Sequence, residues 1–288
     1  MKLILGGAQL GSKYGVSNNR NGINKKDLIK IFKSKKISKI VDTAYNYKNS
    51  INVIKKYQKK FGLKVILKID VGKKTYSELN FLKKIDSSFK KFKTNYIYCV
   101  MIHDTKNFFR LSKKKRDIIL NKFKILKRKK KISKIGFSIY NQKELKKLKT
   151  IKDLDIIQLP INIFDQEFVR EKNLSCFKRK KIEIHARSIF LQGLIFLGHE
   201  KIRKILKKKP IGLKRFYDDY KNSKQRMFHC INFIKNQRNV DKCVIGVTSY
   251  DEFKEVIKLF DKKKYNTNYS SYLIKDKYVT KPYLWSSH

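Results

Sequence analysis

Carboxylates are scarce in this sequence: 23 Asp and Glu stand against 72 Lys and Arg, a formal net charge of +49 over 288 residues. The four cysteines (Cys99, Cys176, Cys230, Cys243) show no CxxC or other metal-like spacing, so nothing calls for a bound metal or an oxidising compartment. No apolar run approaches the roughly 18 residues of a membrane helix. The basic start passes straight into a strand-like stretch, without the hydrophobic region and small-residue cleavage site of a signal peptide. Prolines number only 3, and no linker or shift in composition divides the chain. These absences predict a single domain over residues 1–288, in a soluble cytoplasmic protein without metal or membrane insertion.

Taken alone, the charge suggests a nucleic acid or an anionic membrane surface as partner. Lys, Ile, Asn, Phe and Tyr share A/T-rich codons, however, so genome composition accounts for the lysines, though less well for the missing acids. No nucleic-acid motif or aromatic-interleaved basic stripe stands out. The runs Lys113–Arg116, Arg128–Lys131 and Lys207–Lys209 read as solvated helix faces and turns. No specific nucleic-acid partner is expected, and the oligomeric state is not legible. Hydrophobic residues at 41% and aromatics at 12% argue for a folded chain, and its length is ample for a buried core.

What the sequence does have is alternation. Short apolar runs at Leu3–Leu5, Lys39–Val41, Val65–Ile69, Tyr96–Ile102, Lys134–Phe137, Ile156–Leu159, Glu183–Ala186 and Cys243–Val247 are each followed by a longer segment. Those segments are amphipathic and rich in lysine, apart from a less regular stretch that ends near Lys180. Eight strand–helix steps imply a mainly parallel sheet, and they close most naturally into an α/β (β/α)₈ TIM barrel, which takes about 250 residues. The competitor is an open doubly wound sheet with GxGxxG after an early strand. The first turn, Gly6-Gly7-Ala8-Gln9-Leu10-Gly11, has its glycines at the wrong spacing for that.

In such a barrel the catalytic groups sit at the carboxyl ends of the strands. The polar residues there are Gln9, Asp42, Lys68, His103, Ser138, Gln158 and Arg187, with Tyr47 five residues beyond Asp42. A free tyrosine has a pKa of about 10. An ammonium beside the phenol favours its ionised form, and an aspartate keeps that ammonium charged. Asp42, Lys68 and Tyr47 supply this relay, and His103 can aim a substrate oxygen at the phenol. The set suits carbonyl reduction, in which hydride reaches carbon while a proton reaches oxygen.

Asp42-Thr43-Ala44-x-x-Tyr47, a strand-terminal Lys68 and then His103 resemble the tetrad of the aldo/keto reductases. The resemblance covers almost the whole chain, including Ile135-Gly136-Phe137-Ser138, Gln158 and Val244-Ile245-Gly246. Leu5–Gly11 with Tyr14-Gly15-Val16 is similar to a bacterial subgroup often found in surface-polysaccharide gene clusters. The resemblance implies a nicotinamide coenzyme, NADP(H) favoured and NAD(H) the alternative, with a small carbonyl compound as substrate, a sugar derivative among the candidates. It makes Tyr47 the general acid/base, tuned by Lys68 and Asp42, with His103 orienting the carbonyl. Ser138 and Gln158 would hold the nicotinamide carboxamide, and Ser188, Leu191 and Gly193 the pyrophosphate side. Gly246, Thr248, Ser249 and Glu255 would line the adenosine end.

Departures from the family pattern accompany these matches. Ile139 stands where Asn is frequent, and Arg187 where many members stack an aromatic ring on the nicotinamide. A guanidinium there can stack likewise or bind an anionic substrate group. Thr248 replaces an arginine that frequently grips the 2′-phosphate of NADP, Val256 a common Asn, and Lys48 a usual Gly. Tyr45 is an alternative acid, His185 reads as packing, His199 and His229 carry no site signal, and Trp285 reads as an anchor for the tail, although such tails often line a substrate pocket. The alternative to an enzyme is a non-catalytic, cofactor-binding barrel acting as a sensor or regulatory subunit.

Overall fold

Burial along the strands shows why they close on themselves. Ile40–Ala44 and Ile156–Pro160 are buried at every position, and Lys64–Ile69 at every position after the first. Strands covered on both faces belong to a parallel sheet with helices outside it. The computed structural model describes residues 1–47, 49–72, 77–169, 174–206 and 210–285. Lys48, Tyr76 and residues 207–209 lie outside them.

Eight parallel strands form a closed barrel in sequence order: β1 (Lys2–Gly6), β2 (Ile40–Ala44), β3 (Lys64–Ile69), β4 (Ile97–Ile102), β5 (Ile132–Ser138), β6 (Ile156–Pro160), β7 (Glu183–Arg187) and β8 (Lys242–Ile245). β1 closes the ring by pairing with β8, Lys2 opposite Lys242 and Leu5 opposite Ile245. The expected architecture is present, with every predicted strand in place. The lysine-rich region after β7 resolves into a 3₁₀ segment (Leu191–Phe196) and three helices: His199–Leu206, Ile211–Asp219 and Ser223–Lys235. The last of these starts on a capping box between Asn222 and Gln225, a reciprocal satisfaction of end donors that fixes where a helix begins.

The barrel interior is filled in layers, as this architecture requires. At the amino-terminal end Lys134 and Lys242 each donate to a different oxygen of Glu183, and His185 Nε2 lies 2.9 Å from it. His185 is therefore an interior packing residue, as its sequence context implied. A middle layer holds Ile4, Ile40, Ile66, Cys99, Met101 and Ile156. Gly136 makes room there for Met101, whose methyl would stand 2.7 Å from an added Cβ. Above it, near the carboxyl ends, the interior turns polar again. Among the described residues no helix is long and apolar enough to cross a membrane.

Candidate active site

Strand alternation carries Asp42, Lys68, Ser138, Gln158 and Arg187 to the carboxyl-end rim. Ala44 pairs with Lys68, Ser138 with Gln158, and Pro160 with Arg187. His103 follows the last residue of β4 and is fixed by its N–H to Ile69 O, 2.8 Å. Tyr47 sits in the turn between β2 and the helix Ser50–Phe61, its N–H on Ala44 O at 3.0 Å.

Lys68 and Asp42 are almost wholly buried and paired, with Nζ to Oδ2 at 2.6 Å. Gln158 closes the group: Lys68 Nζ donates to its Oε1 at 3.2 Å, and its Nε2 donates to Asp42 Oδ1 at 3.0 Å. A lysine has three N–H donors, so one remains beyond these two bonds. Tyr47 presents its ring 5.5 Å from Lys68 Nζ and edge-on to His103, with centroids 6.2 Å apart at 83°. All four tetrad residues line one cleft of about 390 Å³.

The electrostatics differ from expectation at the phenol. Tyr47 is half-buried in the wall of the cleft. Burial first, then Asp42 and Tyr140, push its pKa well above the usual tyrosine value, with Arg187 opposing. The ammonium does not override burial, because its bonds run to Asp42 and Gln158. The phenol is thus held in its proton-donating form. His103 is pushed down to about 3, by burial first and then by the charges of Lys68 and Arg187, which leaves a neutral imidazole in the cleft.

Of the ten residues expected around the coenzyme, Arg187, Ser188, Gly193, Gly246 and Thr248 line this cleft. Ser138 and Gln158 lie buried beside it, and among the described residues Ser138 Oγ has no hydrogen-bond partner. Leu191 is fully buried in the core. Ser249 caps the helix Tyr250–Asp261, accepting from Glu252 N at 3.2 Å. Glu255 lies one turn further along that helix, outside the cleft lining. Glu252 takes the wall position instead, accepting from Thr248 N at 2.6 Å and from its hydroxyl at 2.8 Å.

The loop after β7 is left-handed at Ser188, Leu191, Gln192 and Gly193. Only glycine fits at Gly193, where a Cβ would stand 2.0 Å from Ser17 Oγ. Gln192 O takes the N–H of Val16 at 2.9 Å and its Nε2 reaches Tyr14 OH at 3.1 Å, so this loop and the one after β1 hold each other across the cleft. Tyr45 is elsewhere, bonded to Ser87 at 3.0 Å with Lys91 3.9 Å from its ring.

The profile of the aldo/keto reductase family matches residues 2–273. The chain belongs to that family. No curated protein matches it. Among solved structures, an aldo-keto reductase from Bacillus halodurans in its holo form superposes with a TM-score of 0.67 at 14% identity, over 92% of this chain and 88% of that one. The glycerol dehydrogenase of Gluconobacter oxydans gives 0.64 at 16%, over 90% and 86%. Likeness at this identity is likeness of fold, and the family assignment makes the chain a nicotinamide-dependent oxidoreductase.

In this aldo/keto reductase the four expected catalytic residues share the cleft with Tyr14, Tyr140 and Glu252, to which the sequence assigned no role, and with the tail. Thr280, Lys281, Pro282 and Tyr283 all line the cleft. Lys281 is anchored by a buried pair with Asp165 at 2.7 Å. Trp285 stays out of the lining, its ring packed down and Nε1 bonded to Tyr278 O at 2.8 Å, an anchor as expected.

Proposed function

We propose that this oxidoreductase reduces an aldehyde or ketone with a nicotinamide coenzyme, Tyr47 giving the proton to the carbonyl oxygen. The observation that carries the reading is the convergence of Tyr47, His103 and the Asp42–Lys68 pair on one cleft. A protonated phenol and a neutral imidazole are the starting states for donation and carbonyl orientation, and because the raised pKa makes the phenol a weak acid, transfer depends on stabilising the phenolate that it leaves. Lys68, with one N–H left over, stabilises the phenolate that remains after transfer, and Asp42 and Gln158 hold the lysine in position.

The residues present suit the coenzyme. Ser138 Oγ is a buried hydroxyl without a partner among the described residues, directly across the ladder from Gln158, and a carboxamide would satisfy it. Ser188, Leu191 and Gly193 would hold the pyrophosphate side through the left-handed loop, and Gly246, Thr248, Ser249 and Glu255 the adenosine end. Phosphates settle near the loops after strands seven and eight in this architecture. The bound coenzyme supplies the hydride.

Family habit favours NADP(H). NAD(H) is the second reading, because Glu252 puts a carboxylate on the wall beside Thr248. A carboxylate there repels a 2′-phosphate and accepts from a 2′-hydroxyl. Fluorescence titration with NADH and NADPH decides between them. A sugar derivative as substrate and a cytoplasmic location complete the proposal.

Replacing the phenol hydroxyl tests the role. Tyr47→Phe is expected to lower turnover by about 10²–10⁴-fold with coenzyme affinity retained. Undiminished turnover removes Tyr47 from the mechanism. Coenzyme binding by the native chain with no turnover of any carbonyl favours a sensor.

A further inference from the structure

Three cations line the cleft among the described residues: Lys68, Arg187 and Lys281. Lys68 is neutralised by Asp42 and Lys281 by Asp165, both in buried pairs. Arg187 has no carboxylate partner among the described residues. Its guanidinium lies 4.2 Å from the centre of the Tyr140 ring, and Tyr140 is braced edge-on by Tyr283, with centroids 4.9 Å apart at 81°. One terminal nitrogen donates to Ile139 O at 3.1 Å, and the other reaches Ser188 Oγ at 3.5 Å. A guanidinium carries five N–H donors in a rigid planar fork, so most of that fork remains free while the aromatic stack fixes its plane. An oriented cation with spare donors on a cleft wall is a receptor for a planar anion.

Position selects which anion. Lys68 lies on β3 and Arg187 ends β7, four strands apart in the closed order and so on opposite sides of the barrel mouth. A molecule with its carbonyl at Tyr47 and His103 therefore extends its far end toward Arg187. We infer that Arg187, held in plane by Tyr140, receives a carboxylate on the carbonyl substrate, making this enzyme selective for aldehydo and keto acids over neutral carbonyls. The inference rests on the reductase reading above and adds the substrate class to it.

The test compares an acid with its uncharged twin. Succinic semialdehyde and its methyl ester share a skeleton and differ in one charge. The native enzyme should prefer the acid in kcat/KM by about 10–100-fold, the range of hydrogen bonds to a charged group. Arg187→Met should collapse that ratio toward unity, and Arg187→Lys should restore part of it. A ratio near unity in the native enzyme, or one unmoved by Arg187→Met, overturns the inference. Loss of NAD(P)H affinity with the ratio intact also overturns it, assigning the guanidinium to the coenzyme.

A second measurement separates this idea from the reductase reading. With NAD(P)⁺ present, 4-hydroxybutyrate should raise the Tm of the native chain, while 1-butanol should not, and the shift should vanish in Arg187→Met. A chain that shows this shift yet turns over neither aldehyde keeps the anion receptor and loses the reductase. No shift together with no preference for the acid removes the receptor.

Discussion

At the scale of single residues, the convergence of three of the four expected catalytic residues was legible from strand geometry alone, with Tyr47 added from its spacing after Asp42. A polar side chain at the inward position of a strand's carboxyl end has nowhere to go but the barrel mouth, so Asp42, Lys68 and His103 converge. Titration behaviour was not legible, because it depends on burial and on which partner each donor chooses. The family resemblance placed Gln158 at the nicotinamide carboxamide, and what no sequence signal showed is that its side chain ties Lys68 to Asp42. His103 gives the clearest test. Its folded-state pKa lies far below the free value of about 6.5, so the ring should stay neutral as pH falls while an unfolded chain takes up the proton. Its ring resonances should not titrate by NMR between about pH 8 and 5, and a midpoint near the free value would contradict the burial described.

At the scale of elements, alternation located all eight strands, since apolar runs flanked by amphipathic segments leave little freedom. The region between β7 and β8 was less legible: uniform lysine hides the breaks between helices, although Pro210 and the Asn222-x-x-Gln225 box mark two of them. Contacts between elements distant in sequence were invisible, above all the clasp of Lys281 on Asp165. Lys281→Met should leave a buried carboxylate unpaired at a cost of about 3–5 kcal/mol, read as a lower denaturant midpoint; a change below about 1 kcal/mol would mean the carboxylate finds water or simply protonates. The polar layer at the amino-terminal end behaves differently with pH. Burial alone would raise the pKa of Glu183, but hydrogen bonds from His185, Lys134 and Lys242 more than offset this and hold it well below the usual carboxylate range. Because the folded value is depressed, its contribution is full above the unfolded pKa of about 4.3 and fades as pH falls below it. Glu183→Gln should therefore lower Tm at neutral pH and flatten the acid side of the stability profile.

For the whole molecule, a net charge of +49 means like charges crowd the outer helices. Self-repulsion of this kind opposes the compact state and is screened by salt, whose Debye length shortens from about 30 Å at 0.01 M to about 8 Å at 0.15 M. Added NaCl should raise Tm over that range, and a Tm insensitive to salt would show that paired charges already cancel the field. The same surface calls for a control with similarly charged proteins before any retention on polyanions is taken as specific.

Closure of the ring sets a further demand on the whole chain. β1 has β8 as one of its two neighbours, and Lys2 waits for Lys242. During synthesis the first strand must stay soluble with one edge open while nearly the entire polypeptide emerges, and the cleft gains its last wall from Thr280 to Tyr283 later still. Such long-range pairing folds slowly, and until β8 docks on β1 the strands make an open sheet with an unpaired edge.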